Sequence, residues 1–130
     1  MKAFWFALAL ALPLAAQSSP AVVSTGLDVL VEADFAPLRG AKIGLLTNHT
    51  GRTRDGHGIV ETVLDAEGLE LLVLFSPEHG FEGVLDQSKI DDARHSSGLM
   101  IKSLYGETRK PTPEMLEGLD TLVFDIQDIG

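Results

Sequence analysis

The stretch Leu71–Gly83, LLVLFSPEHGFEG, sets the reading of the whole chain. An apolar run stops at Ser76, and Pro77, Glu78 and His79 follow at once. The run reaches back to Leu69, and its near-continuous apolar character suits a strand covered on both faces of a parallel sheet. A glutamate and a histidine on the lip of a dry strand are expensive to bury and cheap to present. The pattern therefore predicts a strand over Leu69–Phe75 that holds Glu78 rigidly at the edge of a cleft.

Upstream, AKIGLLTN is a second compact apolar run, predicting a buried strand over Lys42–Thr47. Between the two, HTGRTRDGHG is a polar, glycine-rich loop. IVETVLDAEG then places Ile59, Val60, Val63 and Leu64 on one helical face, with Gly68 as the stop. GLDVLVEADFAPLRG reads as short helical pieces ending at Gly40. Downstream, VLDQSKIDDARHSSG reads as loop with some helix, and LMIKSLYG predicts a third strand over Leu99–Gly106. KPTPEMLEGLD predicts a helix with Thr112 as N-cap, Pro113 in the first turn and Gly118 as the close. TLVFDIQDIG starts a fourth strand at Thr121, running to about Asp125. Strands alternating with helices predict βαβ units and a parallel sheet.

Each strand ends in polar residues. The clusters are Asn48 and His49, then Glu78 and His79, then Tyr105, Arg109 and Lys110, then Asp125, Gln127 and Asp128. In a parallel sheet these ends lie along one edge, where open α/β folds bind ligands. Each cluster alone also fits an ordinary solvated turn. Asn48 fits a turn cap, NHT matches a glycosylation acceptor, and Arg109 with Lys110 fits a solvated charge pair. It is their shared edge that argues for a cleft.

The chemistry narrows by elimination. No GxxxxGK or GxGxxG follows a strand, HExxH is absent, and Ser76 has no nucleophile-elbow context. His49, Glu78, His79 and Asp125 are chemically able to bind a divalent metal, but their spacing matches no metal motif. Carboxylates with amide and hydroxyl neighbours suit acid–base work on a polar substrate, such as glycoside cleavage. In that scheme Glu78 supplies the acid, and Asp125 or Asp128 the second group. A non-catalytic sugar-binding module and a metal-dependent hydrolase are the alternatives.

Composition bounds the partners. The net charge of −9 disfavours nucleic acid and anionic lipid. The chain has no cysteine, which excludes disulfides and thiolate metal sites. A 45% hydrophobic content is enough for a core. Part of it lies in MKAFWFALALALPLAAQSSPA, where Lys2 precedes an apolar run to Leu14 and small residues follow. That is a secretory signal peptide pattern, cleaved near Ala16 or Ala21, and shorter than the ~20 residues of a membrane span. Residues 1–21 are thus read as signal peptide and polar exit. The mature protein is expected to be exported, periplasmic or secreted, with no stable membrane insertion.

Three stretches carry a resemblance. GLDVLVEADFAPLRGAKIGLLTNHTG, LFSPEHGFEG and SLYGETRKPTPEMLEGLDTLVFDIQDIG together resemble the DUF1343 family, which includes the exo-β-N-acetylmuramidases called NamZ. The resemblance covers about Val22 to Gly130. It implies an exported glycosidase that removes N-acetylmuramic acid from the non-reducing end of peptidoglycan fragments, with no cofactor. It implies Glu78 as the leading catalytic carboxylate and gives Asp125 a substrate-binding or supporting role, with Asp125 or Asp128 left as the second catalytic group. It gives Asn48, His49, His79, Tyr105, Gln127 and Asp128 roles in binding substrate. Family members continue well past DIQDIG and carry a second, smaller domain. The expected fold is therefore α/β, a Rossmann-like parallel sheet with flanking helices, incomplete, with residues 22–130 forming the N-terminal part of the catalytic domain.

Overall fold

A computed structural model describes residues 22–127; residues 1–21, read above as a signal peptide, and Asp128 lie outside them. The elements are α1 (Gly26–Glu32), β1 (Lys42–Thr47), α2 (Ile59–Leu64), β2 (Glu70–Ser76), β3 (Ala93–Arg94), β4 (Met100–Ser103) and β5 (Thr121–Asp125), with single 3₁₀ turns at Ala36–Leu38 and Glu114–Leu116. The five strands form one sheet in the order β3-β4-β2-β1-β5. β1 pairs in parallel with β2 and β5, and β2 with β4. Only β3 runs antiparallel, against β4. The parallel strands thus follow the third–second–first–fourth order of a doubly wound fold, and the order reverses between β1 and β5. The fold is Rossmann-like α/β.

Helices cover one face. α1 is closed by a capping box, in which Thr25 Oγ1 accepts from Asp28 N and the Asp28 carboxylate accepts from Thr25 N at 2.8 Å. Asp28 also accepts from Arg54 N at 2.9 Å, tying α1 to the loop after β1. That bond, with those from Thr25, holds the carboxyl below the usual aspartate range. Leu27 from α1, Phe35 after it, and Ile59, Val60 and Val63 from α2 bury against Ile43, Leu45, Leu74 and Ile101. Each such side chain contributes about 1.5–3 kcal/mol when fully buried.

The other face is open in part. Strand register puts Gly44 beside Leu122 and Leu46 beside Phe124 on that side. A Cβ on Gly44 would stand 2.6 Å from Leu119 Cδ1 and 3.0 Å from the Phe75 ring, so the missing side chain is what lets Leu119 and Phe75 close over the strand. Towards β5 the cover ends, and Leu122 and Phe124 are 48% and 68% exposed.

Three expectations shift. The third strand is shorter than Leu99–Gly106, and β3 forms within the segment read as loop and helix. Asp92 explains its place: the carboxylate accepts from Lys102 Nζ at 2.7 Å and Ser103 N at 2.9 Å, pinning this segment against β4. Burial opposes ionisation of Asp92, but the Lys102 and Ser103 contacts outweigh it and lower its pKa. The predicted helix after Thr112 is only one 3₁₀ turn. Thr112 Oγ1 does accept from Met115 N, at 3.4 Å. Glu117 already leaves the helix with an extended backbone at ψ 131°, and Gly118 turns left-handed at φ 80°, so the helix stops after one turn. Flanking helices are thus fewer than expected, and the crossovers on either side of β4 carry no α-helix. No helix among the described residues is long and apolar enough to cross a membrane.

Candidate functional site

The carboxyl ends of the four parallel strands open into one cleft of about 470 Å³. β1 contributes Leu46 and, just past its end, Asn48 and His49. The segment after β2 gives Pro77, Glu78, His79 and Gly83, that after β4 gives Leu104, Tyr105 and Arg109, and β5 with its exit gives Phe124, Ile126 and Gln127. The cleft spans the point where strand order reverses, the expected ligand position.

Backbone hydrogen bonds hold the strand-end segments together. His49 N donates to Phe81 O at 2.8 Å, linking the first segment to the second, and Leu104 N donates to Ser76 O at 2.9 Å, linking the third to the second. The fourth is tied through Thr50. Its hydroxyl donates to Asn48 Oδ1 at 2.6 Å and accepts from Gln127 N at 3.0 Å. Asn48 Oδ1 also accepts from Thr50 N at 2.9 Å. Asn48 therefore builds the turn with its oxygen, and its side-chain nitrogen makes no hydrogen bond among the described residues.

Glu78 stands on a strained turn. His79 sits at φ 64°, in the left-handed region, which costs a non-glycine residue about 1–2 kcal/mol. Gly80 follows at φ 74°. The strain is held by contacts within the loop: Leu85 N donates to His79 O at 3.1 Å, and the His79 ring lies 3.1 Å from Leu85 O through Nδ1. With its ring engaged there, His79 fixes the turn that aims Glu78. Glu78 itself is exposed and makes no hydrogen bond among the described residues. Such over-determined left-handed residues cluster at functional sites. Gly83, at φ 69°, lets the His49 ring lie against its backbone, and a Cβ there would fall 2.1 Å from His49 Cε1.

Asp125 is placed differently. Its register partner is Thr47, on the helix-covered face, so Phe124 and Ile126 line the cleft and Asp125 does not. Its Oδ2 is buried with no hydrogen-bond partner among the described residues, and burial raises its pKa. Thr47 Oγ1 donates to Asp125 O at 2.8 Å, fixing the backbone at this strand end. Of the residues selected from sequence, Asn48, His49, Glu78, His79, Tyr105 and Gln127 come together, and Glu78 is the one carboxylate lining the cleft among the described residues. No three His, Asp or Glu side chains among the described residues are grouped to hold a metal ion, so His49, Glu78, His79 and Asp125 are not assembled as a metal set.

Sequence reasoning passed over one cleft residue, Phe124, and placed another, Arg109, at the shared edge without giving it a role. Phe124 alternates with Asp125 along β5, and period-two reading of that strand was enough to separate them. Arg109 looked like half of a solvated pair, but its guanidinium carbon lies 3.7 Å from the centroid of the Tyr105 ring. Its spacing of four residues from Tyr105, across a glycine turn, was the available signal.

The comparisons with known proteins identify the family and the fold. Residues 43–130 match the family model described as exo-β-N-acetylmuramidase NamZ, N-terminal. The peptidoglycan β-N-acetylmuramidase NamZ of Bacillus subtilis (strain 168) is 41% identical over 113 residues, covering 83% of this chain and 27% of that protein. The crystal structure of a DUF1343 family protein from Bacteroides fragilis NCTC 9343 superposes with a TM-score of 0.73 at 45% identity, covering 82% of this chain and 27% of that one. A second such structure from the same organism gives 0.59 at 30% identity, covering 81% and 26%. The chain thus spans about a quarter of the length of these relatives. It belongs to the NamZ family of exo-β-N-acetylmuramidases, in the part that the family's N-terminal model describes.

Proposed function

We propose that this chain supplies the acid-bearing half of a glycosidase site that removes non-reducing terminal N-acetylmuramic acid from peptidoglycan fragments. The observation that carries the reading is the convergence of Asn48, His49, Glu78, His79, Tyr105 and Gln127 on one cleft at the strand-order reversal. Family membership supplies the reaction class.

Glycoside hydrolysis needs one carboxyl group to protonate the leaving oxygen and a second to handle the developing cation or activate water. Glu78 takes the first role. It is held at a fixed strand end, and its exposure leaves room for a sugar to bury it on binding. Phe124 offers an exposed aromatic surface in the cleft lining, and Asn48 and Gln127 offer amide hydrogen bonds for sugar hydroxyls. The second group is assigned to Asp128, which follows Gln127 in sequence, because the Asp125 side chain faces away from the cleft. Asp125 is given a supporting role at the strand end. The leader pattern of residues 1–21 supports an exported location, where peptidoglycan lies.

A sugar-binding module is the second reading, favoured by the single carboxylate lining the cleft among the described residues. One experiment separates the two. The chain alone, and the chain continued by the remaining sequence of the B. subtilis relative, are each given a chromogenic β-N-acetylmuramic acid glycoside. Chromophore release by the extended form, lost on Glu78→Gln, is the expected result. Binding without release by both folded forms would move the assignment to the sugar-binding module.

A further inference from the structure

Arg109 stands out in a chain that carries 19 acidic and 10 basic side chains. Arg39 pairs with Asp34, Arg52 donates to His49 O and Gly56 O, and Arg94 donates to Gly98 O. Arg109 makes no hydrogen bond or ion pair among the described residues, yet it lines the cleft that holds Glu78. Its guanidinium lies 3.7 Å from the Tyr105 ring centroid. Contact with an aromatic face limits where the cation can go without using its N–H groups, which remain free for a planar anion.

The platform beneath it is fixed. Tyr105 N donates to Ser103 Oγ at 3.1 Å, and Tyr105 O accepts from Ile90 N at 2.8 Å. Gly106 lets the backbone pass close to Ile90, since a Cβ there would lie 2.7 Å from Ile90 O. The Tyr105–Arg109 pair is thus a pre-positioned cation in the cleft of a chain with net negative charge. A fork of N–H donors matches a carboxylate bidentately.

We propose that Arg109, supported by Tyr105, binds the carboxylate of the substrate and so selects a carboxylate-bearing amino sugar over its neutral counterpart. The inference rests on the muramidase reading. Muramic acid differs from glucosamine by a lactyl ether that ends in a carboxylate, so the anion read by Arg109 is the group that distinguishes the two sugars. Glu78, which follows the adjacent strand β2, lines the same cleft and would repel a carboxylate placed beside it, so the cation and the acid serve different parts of the substrate, its charged arm and its glycosidic oxygen.

The test is binding of N-acetylmuramic acid, its lactyl carboxamide and N-acetylglucosamine to the chain, followed by NMR titration. The wild type is expected to prefer N-acetylmuramic acid over both neutral sugars by roughly 10- to 100-fold, as for a charge-assisted hydrogen-bonded pair. Arg109→Gln should bring the three affinities together with little change for the neutral sugars. Tyr105→Leu, which keeps the cation and removes its support, should lose part of the preference, and Tyr105→Phe should keep it. Preference retained in Arg109→Gln overturns the inference and leaves the muramidase reading standing. Equal binding of all three sugars by the wild type does the same, because cleavage of the glycoside is scored separately. Binding of none overturns the inference together with the reading beneath it.

Discussion

The carboxyl ends of β2 and β5 each deliver one acidic side chain, and they treat it in opposite ways. After β2 the chain turns through a left-handed His79 and holds Glu78 out in the cleft, exposed and without a hydrogen bond among the described residues. At the end of β5 the strand alternation turns Asp125 towards the helix-covered face, where its Oδ2 is buried without a partner. One carboxylate is available to a ligand, and the other turns one of its oxygens away from solvent. A carboxylate at a strand end is therefore only as functional as its parity along the strand and the turn that follows it.

The largest expected effect tests that contrast directly. In the extended protein, Glu78→Gln is expected to lower turnover on the chromogenic glycoside by about 10²- to 10⁴-fold, the usual contribution of a positioned acid. Asp125→Asn is expected to lower it by less than about 10-fold, a bound taken from the same range. Equal losses from the two variants would break the contrast and return Asp125 to the reaction.

Much of this was legible in the sequence. The parallel sheet followed from apolar runs at Lys42–Thr47, Leu69–Phe75 and Thr121–Asp125, because a strand buried or half-buried in a parallel sheet leaves a composition signal. The convergence of Asn48, Glu78, Tyr105 and Gln127 followed from topology alone. The side on which Asp125 falls was not read, although β5 alternates plainly, because the residue was treated as part of a loop cluster. β3 was not readable at all. Two residues leave no period, and their position depends on Asp92 reaching Lys102 and Ser103 from ten and eleven positions away.

The β2 side is sharpened next by Gly83→Ala. A Cβ there collides with the His49 ring, and the left-handed backbone at φ 69° disfavours any side chain. The substitution is expected to cost about 1–3 kcal/mol, read as a lowered urea midpoint. It should also weaken sugar binding, because His49 has to leave its place on the cleft wall. An unchanged His49 resonance on titration with sugar would show that this wall does not touch ligand.

On the β5 side, Thr50→Val removes the hydroxyl that accepts from Gln127 N and donates to Asn48 Oδ1. A net loss of about 1 kcal/mol is expected for a pair of partly exposed bonds. Faster amide exchange at Gln127, with β1 and β2 unaffected, would mark Thr50 as the tie between the two sides. Uniform acceleration across the sheet would instead make it a general support.

The smallest effect lies in the pH dependence of Asp125. Burial raises its folded-state pKa above the ordinary 3.8. Below that ordinary value both folded and unfolded states hold the proton, and the residue has no effect on stability. As pH rises past it, the unfolded chain releases the proton while the folded chain keeps it, so stability falls until the folded group also ionises. Above that point the loss is constant. Asp125→Asn is neutral at every pH and removes the decline, so the variant should be the more stable protein near neutrality, with the difference closing in acid. Asp28 and Asp92, whose carboxyls are held low by hydrogen bonds, shift stability the other way as pH falls, but equally in both proteins. The difference in urea midpoint between wild type and variant, measured at about pH 7 and about pH 3, isolates Asp125. A variant less stable than wild type near neutrality would mean that the Asp125 carboxylate has a partner in solution. The turned-away carboxylate would then be an engaged one, and the contrast with Glu78 would rest on strand parity alone.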